Sequence, residues 1–143
     1  MSAILAQLSQ APTSLQWWAW PKLAGLVAAP LLLLALLAGV SVPPIVVGLT
    51  LHLVLDFTLQ SNWVAAEKSS GGKALAYHAA IAGGIPALVA GLAIGPATAL
   101  FAGAVGIMSH WLIDRTNKFG LPGWQQGIAA DQAAHLAALL LVL

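Results

Sequence analysis

The sequence predicts an all-α protein, an integral membrane bundle of about five transmembrane helices. Three observations lead there. Of 143 residues, 60% are hydrophobic and only 6% charged, far below the roughly 25% charged residues of soluble domains. The apolar runs approach about 20 residues, the length that crosses a hydrocarbon core at about 1.5 Å rise per residue. Prolines mark the joints between runs, where a missing N–H costs nothing. The length suits a single domain.

Residues 1–21 read as an interfacial N-terminal segment and 22–143 as the transmembrane helical domain. Ile4, Leu5, Leu8 and Leu15 permit a short surface helix, though without the basic face such helices usually carry. The segment has no basic n-region, and Trp17, Trp18 and Trp20 interrupt the approach to the first apolar run, so a retained helix is expected rather than a cleaved signal. Helices are expected near 22–41, 43–60, 74–94, 96–114 and 127–143. Pro43 and Pro44 open the second and Pro96 the fourth. Pro30 and Pro86 fall inside the first and third, where neighbouring helices can satisfy the freed carbonyls and a kink is expected. Gly91, Gly95, Gly103 and Gly106 suit close helix packing.

In this trace Lys22, Lys68, Lys73, Arg115 and Lys118 fall on one side of the membrane, which the positive-inside rule makes cytoplasmic, together with the N-terminus. Trp17, Trp18, Trp20, Trp63, Trp111 and Trp124 gather on the same side as an interfacial belt. A net charge of +1 offers no basic patch for a phosphate backbone, so nucleic acid is excluded as a partner. The absence of cysteine excludes disulfides, thiolate metal sites and cysteine nucleophiles together. No P-loop, dinucleotide fingerprint, nucleophile elbow or haem-attachment motif is present.

The ionisable residues are not scattered. His52 and Asp56 stand four apart near the end of the second helix, His110 and Asp114 near the end of the fourth, and Asp131 and His135 at the start of the fifth. A spacing of four places both side chains on one helical face. A histidine in a chain so poor in aspartate meets one at that spacing by chance only about 4% of the time. The fourth histidine, His78, lies one turn into the third helix, and the hairpin topology brings all seven side chains to the cytoplasmic end of the bundle. Imidazole and carboxylate together suit a divalent transition metal such as zinc, manganese or iron, and seven donors serve either one ion with orienting neighbours or two ions. Ionisable residues inside membrane helices are costly, which favours a functional site over hydrogen-bonded glue.

Asp56, Asp114 and Asp131 are the carboxylates available for proton transfer. Lys68, Lys73, Arg115 and Lys118 surround the expected mouth, where they suit the phosphate oxygens of a lipid headgroup. Gln60 and Gln132, with Ser109 and Asn117, can bond a ligand or a substrate. Glu67, beside Lys68, reads as a solvated ion pair.

From His52 onward, HLVLDFTLQSNWVAAEK, then His78, SHWLIDRTNK and DQAAH resemble a family of small bacterial and phage membrane proteins, domain of unknown function 3307, over residues 48 to 143 or so. The matching positions are His52, Asp56, Gln60, Trp63, Lys68, His78, Ser109, His110, Asp114, Lys118, Asp131, Gln132 and His135. The resemblance implies a multi-pass protein of the bacterial inner membrane and no particular activity. A more distant likeness is to inner-membrane metal-dependent hydrolases, from which only the use of histidine and aspartate carries over. Together these readings predict a metal-dependent hydrolase acting on a lipid or polyprenyl phosphate at the cytoplasmic face. The alternatives are a proton or metal-ion transporter and a non-catalytic subunit of a larger membrane assembly. Membrane lipids are the expected partners, with a second membrane protein or a second copy of the chain under the last alternative.

Overall fold

A computed structural model describes residues 19–116 and 124–143. Trp17, Trp18, Asn117 and Lys118 lie outside the described residues, and Trp20 and Trp124 are described by their backbone alone. The chain forms helices α1 (Ala19–Leu37), α2 (Pro44–Thr58), α3 (Asn62–Glu67), α4 (Gly72–Leu92), α5 (Pro96–Arg115) and α6 (Trp124–Val142), with no strand among the described residues. The five long helices fall on the five apolar runs. The short α3, followed by a 3-10 turn at Lys68–Ser70, occupies what composition marks only as a polar loop.

α1 is described from Ala19 onward, and Pro21 lies within the described helix. It runs through Pro30 without a break and stops at Leu37, short of residue 41. The stop is made by Gly39, whose φ of 72° lets Gly39 N donate to Leu36 O at 3.0 Å and Val40 N to Ala35 O at 2.9 Å. Those are the two bonds of a left-handed helix closure.

Two helices leave α geometry beside the histidines. The last turn of α2, Val54–Thr58, is π-helical and closes with Leu59 N donating to Val54 O at 2.8 Å. The middle of α4, Ala79–Gly84, is π-helical as well and precedes Pro86. The wider turn accommodates a proline inside a helix, which is the physical form the expected kink takes.

α4 and α5 form a hairpin whose backbones touch. A Cβ on Gly83 would strike the carbonyl of Gly106 and the Cβ of His110, and a Cβ on Gly91 would stand 2.7 Å from Ala99 Cα. Gly103 and Gly106 serve the same contact from α5, as expected, whereas a Cβ on Gly95 would meet nothing within 4 Å. Gly95 therefore ends the turn before α5 and is not a packing residue. The buried core is built from small residues, Ala79, Ala82, Ala87, Ala90 and Ala102, with Leu75 and Leu139. α4 and α5 are long and apolar enough to cross a membrane, and Pro21–Leu37, Pro44–Thr58 and Ala129–Val142 are shorter apolar helices.

Candidate metal centre

Four helices deliver the donors to one end of the bundle. α2 carries His52 in its last α turn and Asp56 in its π turn, α4 carries His78, α5 carries His110 and Asp114, and α6 carries Asp131 and His135. His52, Asp56, His78, His110 and His135 are each at most 6% exposed. The imidazoles touch one another, with ring centroids 4.0 Å apart for His110 and His135, 4.9 Å for His78 and His110, and 5.1 Å for His52 and His135. The convergence expected from the spacing is thus present in the fold.

The imidazole and carboxylate of the pairs four apart are not hydrogen-bonded to each other. His52 Nε2 is 3.8 Å from Asp56 Oδ2, His110 Nε2 is 3.6 Å from Asp114 Oδ2, and His135 Nδ1 is 3.6 Å from Asp131 Oδ2. These separations exceed the 2.7–3.2 Å of a hydrogen bond to a ring nitrogen, so no imidazole–carboxylate bond forms within a helix. The closer contacts run between helices, with His78 Nε2 2.9 Å from Asp56 Oδ1 and 3.3 Å from Asp114 Oδ2.

Two overlapping trios present ligand atoms within 4.8 Å of one another: Asp56, His78 and His110, and then His110, Asp114 and His135. Such spacing is what one cation needs to draw three donors to bonding distance. Three of these atoms are buried without a hydrogen-bond partner, both ring nitrogens of His110 and His135 Nε2, whereas Asp56 Oδ1 and Asp114 Oδ2 lie against His78 and Lys68. Burying an unpaired polar atom costs about 1–3 kcal/mol, so three together on two adjacent rings call for a ligand. The donor set fits a divalent transition metal. A cavity of about 20 Å³ lined by His52, Ser109, His110 and His135 adjoins the second trio, room for a single water.

Neighbouring groups aim the donors. His52 Nδ1 donates to Ala82 O at 3.0 Å, and His135 Nδ1 to Asp131 O at 2.9 Å. Holding Nδ1 in this way turns Nε2 of each ring toward the cluster. Ala82 lies four residues before Pro86, which has no N–H to offer it, so the proline that perturbs α4 also frees the carbonyl that orients His52. Gln132 donates from Nε2 to Asp56 Oδ2 at 3.0 Å and to Asp131 Oδ2 at 3.1 Å, while its Oε1 faces His52 Nε2 at 3.3 Å. Gln60 Nε2 lies 3.3 Å from His78 Nδ1. The two glutamines expected to meet a substrate are therefore engaged with the donors themselves. His52 and Asp131 belong to the cluster but to neither trio.

Lys68 does not stand at the rim. The 3-10 turn after α3 carries its ammonium inward to 3.0 Å from His78 Nε2, 3.4 Å from Asp114 Oδ2 and 3.6 Å from Asp56 Oδ1. Nothing in its spacing signals this, because the contact depends on a chain reversal at Ser61–Ser70. Arg115 does remain exposed, with its guanidinium 5.1 Å from the Trp111 ring centre, and Lys73 and Glu67 are exposed. Lys118 and Asn117 lie outside the described residues. Between α1, α2 and α6 lies an open groove of about 480 Å³ whose lining is apolar, including Ala24, Leu53 and Leu136, apart from His52 and Gln132.

Fold and site define an all-helical protein with a buried histidine–aspartate cluster that could hold a metal ion. The chain belongs to the family described as "Protein of unknown function (DUF3307)", which matches residues 45–143. That span contains every donor and leaves out α1. No curated protein and no solved structure matches the chain.

Proposed function

We propose that the protein is a multi-pass protein of the bacterial inner membrane that binds a divalent transition metal at the cytoplasmic ends of its helices. There it works as a metal-dependent hydrolase on a lipid or polyprenyl phosphate. The observation that carries this reading is the set of unpartnered, buried ring nitrogens of His110 and His135 beside the buried carboxylate of Asp114. The membrane setting is supported by the outer surface, where Leu31 is 60%, Leu100 71% and Met108 71% exposed, faces that water does not tolerate over whole helices. It is supported too by Lys68, Lys73 and Arg115, which share the donor end of the bundle.

A bound divalent ion supplies Lewis acidity and a water whose pKa is lowered toward neutrality. The chain supplies the rest. Asp131, at 15% the most exposed of the three carboxylates and a member of neither trio, is placed to accept a proton. The groove whose otherwise apolar lining includes His52 and Gln132 suits a hydrocarbon chain attached to a polar head, and the exposed Arg115 at the C-terminal end of α5 suits a phosphate.

The reading is tested by phosphate release from a polyprenyl phosphate or phosphatidic acid in mixed micelles. Release is expected to need Zn²⁺, Mn²⁺ or Fe²⁺ and to stop on chelation. Asp131→Asn is expected to slow turnover about 100-fold or more while bound metal is unchanged. Metal-loaded protein that cleaves neither phosphate nor acyl esters would contradict the hydrolase assignment.

A further inference from the structure

The two trios differ in what already fills them. The Asp56–His78 side is occupied by the Lys68 ammonium, which lies within 3.6 Å of both carboxylates and 3.0 Å from the His78 ring. The His110–His135 side has no such partner: both His110 nitrogens and His135 Nε2 are buried and unpaired. Asp114 stands between them, its Oδ2 toward Lys68 and His78 and its Oδ1 3.8 Å from His135 Nε2. The one-water cavity lies on the unpaired side. We propose that Lys68 is a built-in substitute for a second metal ion, so that the centre takes a single divalent cation, at His110, Asp114 and His135.

Charge leads to the same count. Asp56, Asp114 and Asp131 bring three negative charges, and Lys68 with one divalent ion brings three positive. A second divalent ion beside Lys68 would leave two uncompensated positive charges in a buried site, a costly state where the dielectric is low. Any proton held on a histidine moves the balance further against it. Removing the ammonium reverses the argument, because Asp56, His78 and one oxygen of Asp114 then lose their cation and become an open binding position.

The inference rests on the metal-binding reading above, and the experiment separates the two. The full chain, purified in detergent, is dialysed against Zn²⁺, freed of unbound ion and assayed for zinc per chain, with helicity checked by circular dichroism. Wild type is expected to hold about one zinc, Lys68→Met about two, and Lys68→Arg, which keeps the charge, about one. Asp56→Asn is expected to keep its zinc and His135→Ala to lose it, so the assignment is testable even where Lys68→Met fails to fold. Two zinc ions in wild type, one in folded Lys68→Met, or loss of zinc in folded Asp56→Asn would each overturn the substitute-cation proposal and leave metal binding standing. A wild-type chain that takes up no Zn²⁺, Mn²⁺ or Fe²⁺ would overturn the metal reading itself.

Discussion

The two ends of the bundle are built from the same helices and packed by the same small residues, yet their chemistry is opposite. From Leu23 to Leu51 and from Ala79 to Ser109 the chain carries no ionisable side chain, and the turns at 38–43 and 93–95 join helices without one. At that end Gly91 lies against Ala99 and Gly103 against Leu88. At the other end Gly83 lies against Gly106 just as closely, but four histidines and three aspartates are added. Close packing therefore does not require the polar cluster, and the in-helix His–Asp side chains, at 3.6–3.8 Å, make no hydrogen bond to each other. The small-residue packing is common to both ends, and at the donor end the cross-helix contacts of His52 with Ala82 O, Gln132 with Asp56 and His78 with Asp56 are added to it.

Four substitutions would break or sharpen that contrast. The largest effect is expected for His110→Ala, which removes the one residue common to both trios: metal affinity should fall well beyond 100-fold while helix content holds. Next comes Gly83→Ala, whose new Cβ collides with Gly106 and His110. It should cost about 1–3 kcal/mol in denaturant unfolding and lower metal affinity with it. Gln132→Ala leaves His110, Asp114 and His135 in place and frees only the neighbouring Asp56, Asp131 and His52 to turn, and should weaken metal binding only a few-fold in a competition titration. The smallest effect belongs to the donor-free end: Gly95→Ala meets nothing within 4 Å and should change stability by less than about 0.5 kcal/mol and metal affinity not at all. A large loss of metal in Gly95→Ala would erase the distinction between the two ends.

Much of this arrangement is legible in the chain. Five apolar runs, the second and fourth opened by proline, specify the long helices, and the spacing of His52 and Asp56, His110 and Asp114, and Asp131 and His135 specifies one end of the bundle as the place where they meet. Convergence follows from topology alone, so it needs no knowledge of side-chain conformation. Other features depend on three-dimensional contacts that local pattern does not encode. Asp56 lies in a π turn that no residue type announces, although the second π segment could have been sought from Pro86. That same proline implies a free carbonyl at Ala82, a clue to the orientation of His52. Gln132 reads as one more polar residue near a helix start, and only the fold reveals that it bonds two carboxylates and faces a histidine. Lys68 reads as a cytoplasmic topology signal, and only the reversal through α3 carries its ammonium between Asp56 and Asp114.

The central claim, that the unpaired donors exist to hold a metal ion, is tested most directly by elemental mass spectrometry of the full chain purified in detergent without chelator. The account predicts a transition metal retained at about one per chain and absent from His110→Ala of the same helicity. A helical, metal-free wild-type chain that also fails to take up Zn²⁺, Mn²⁺ or Fe²⁺ on dialysis would contradict it.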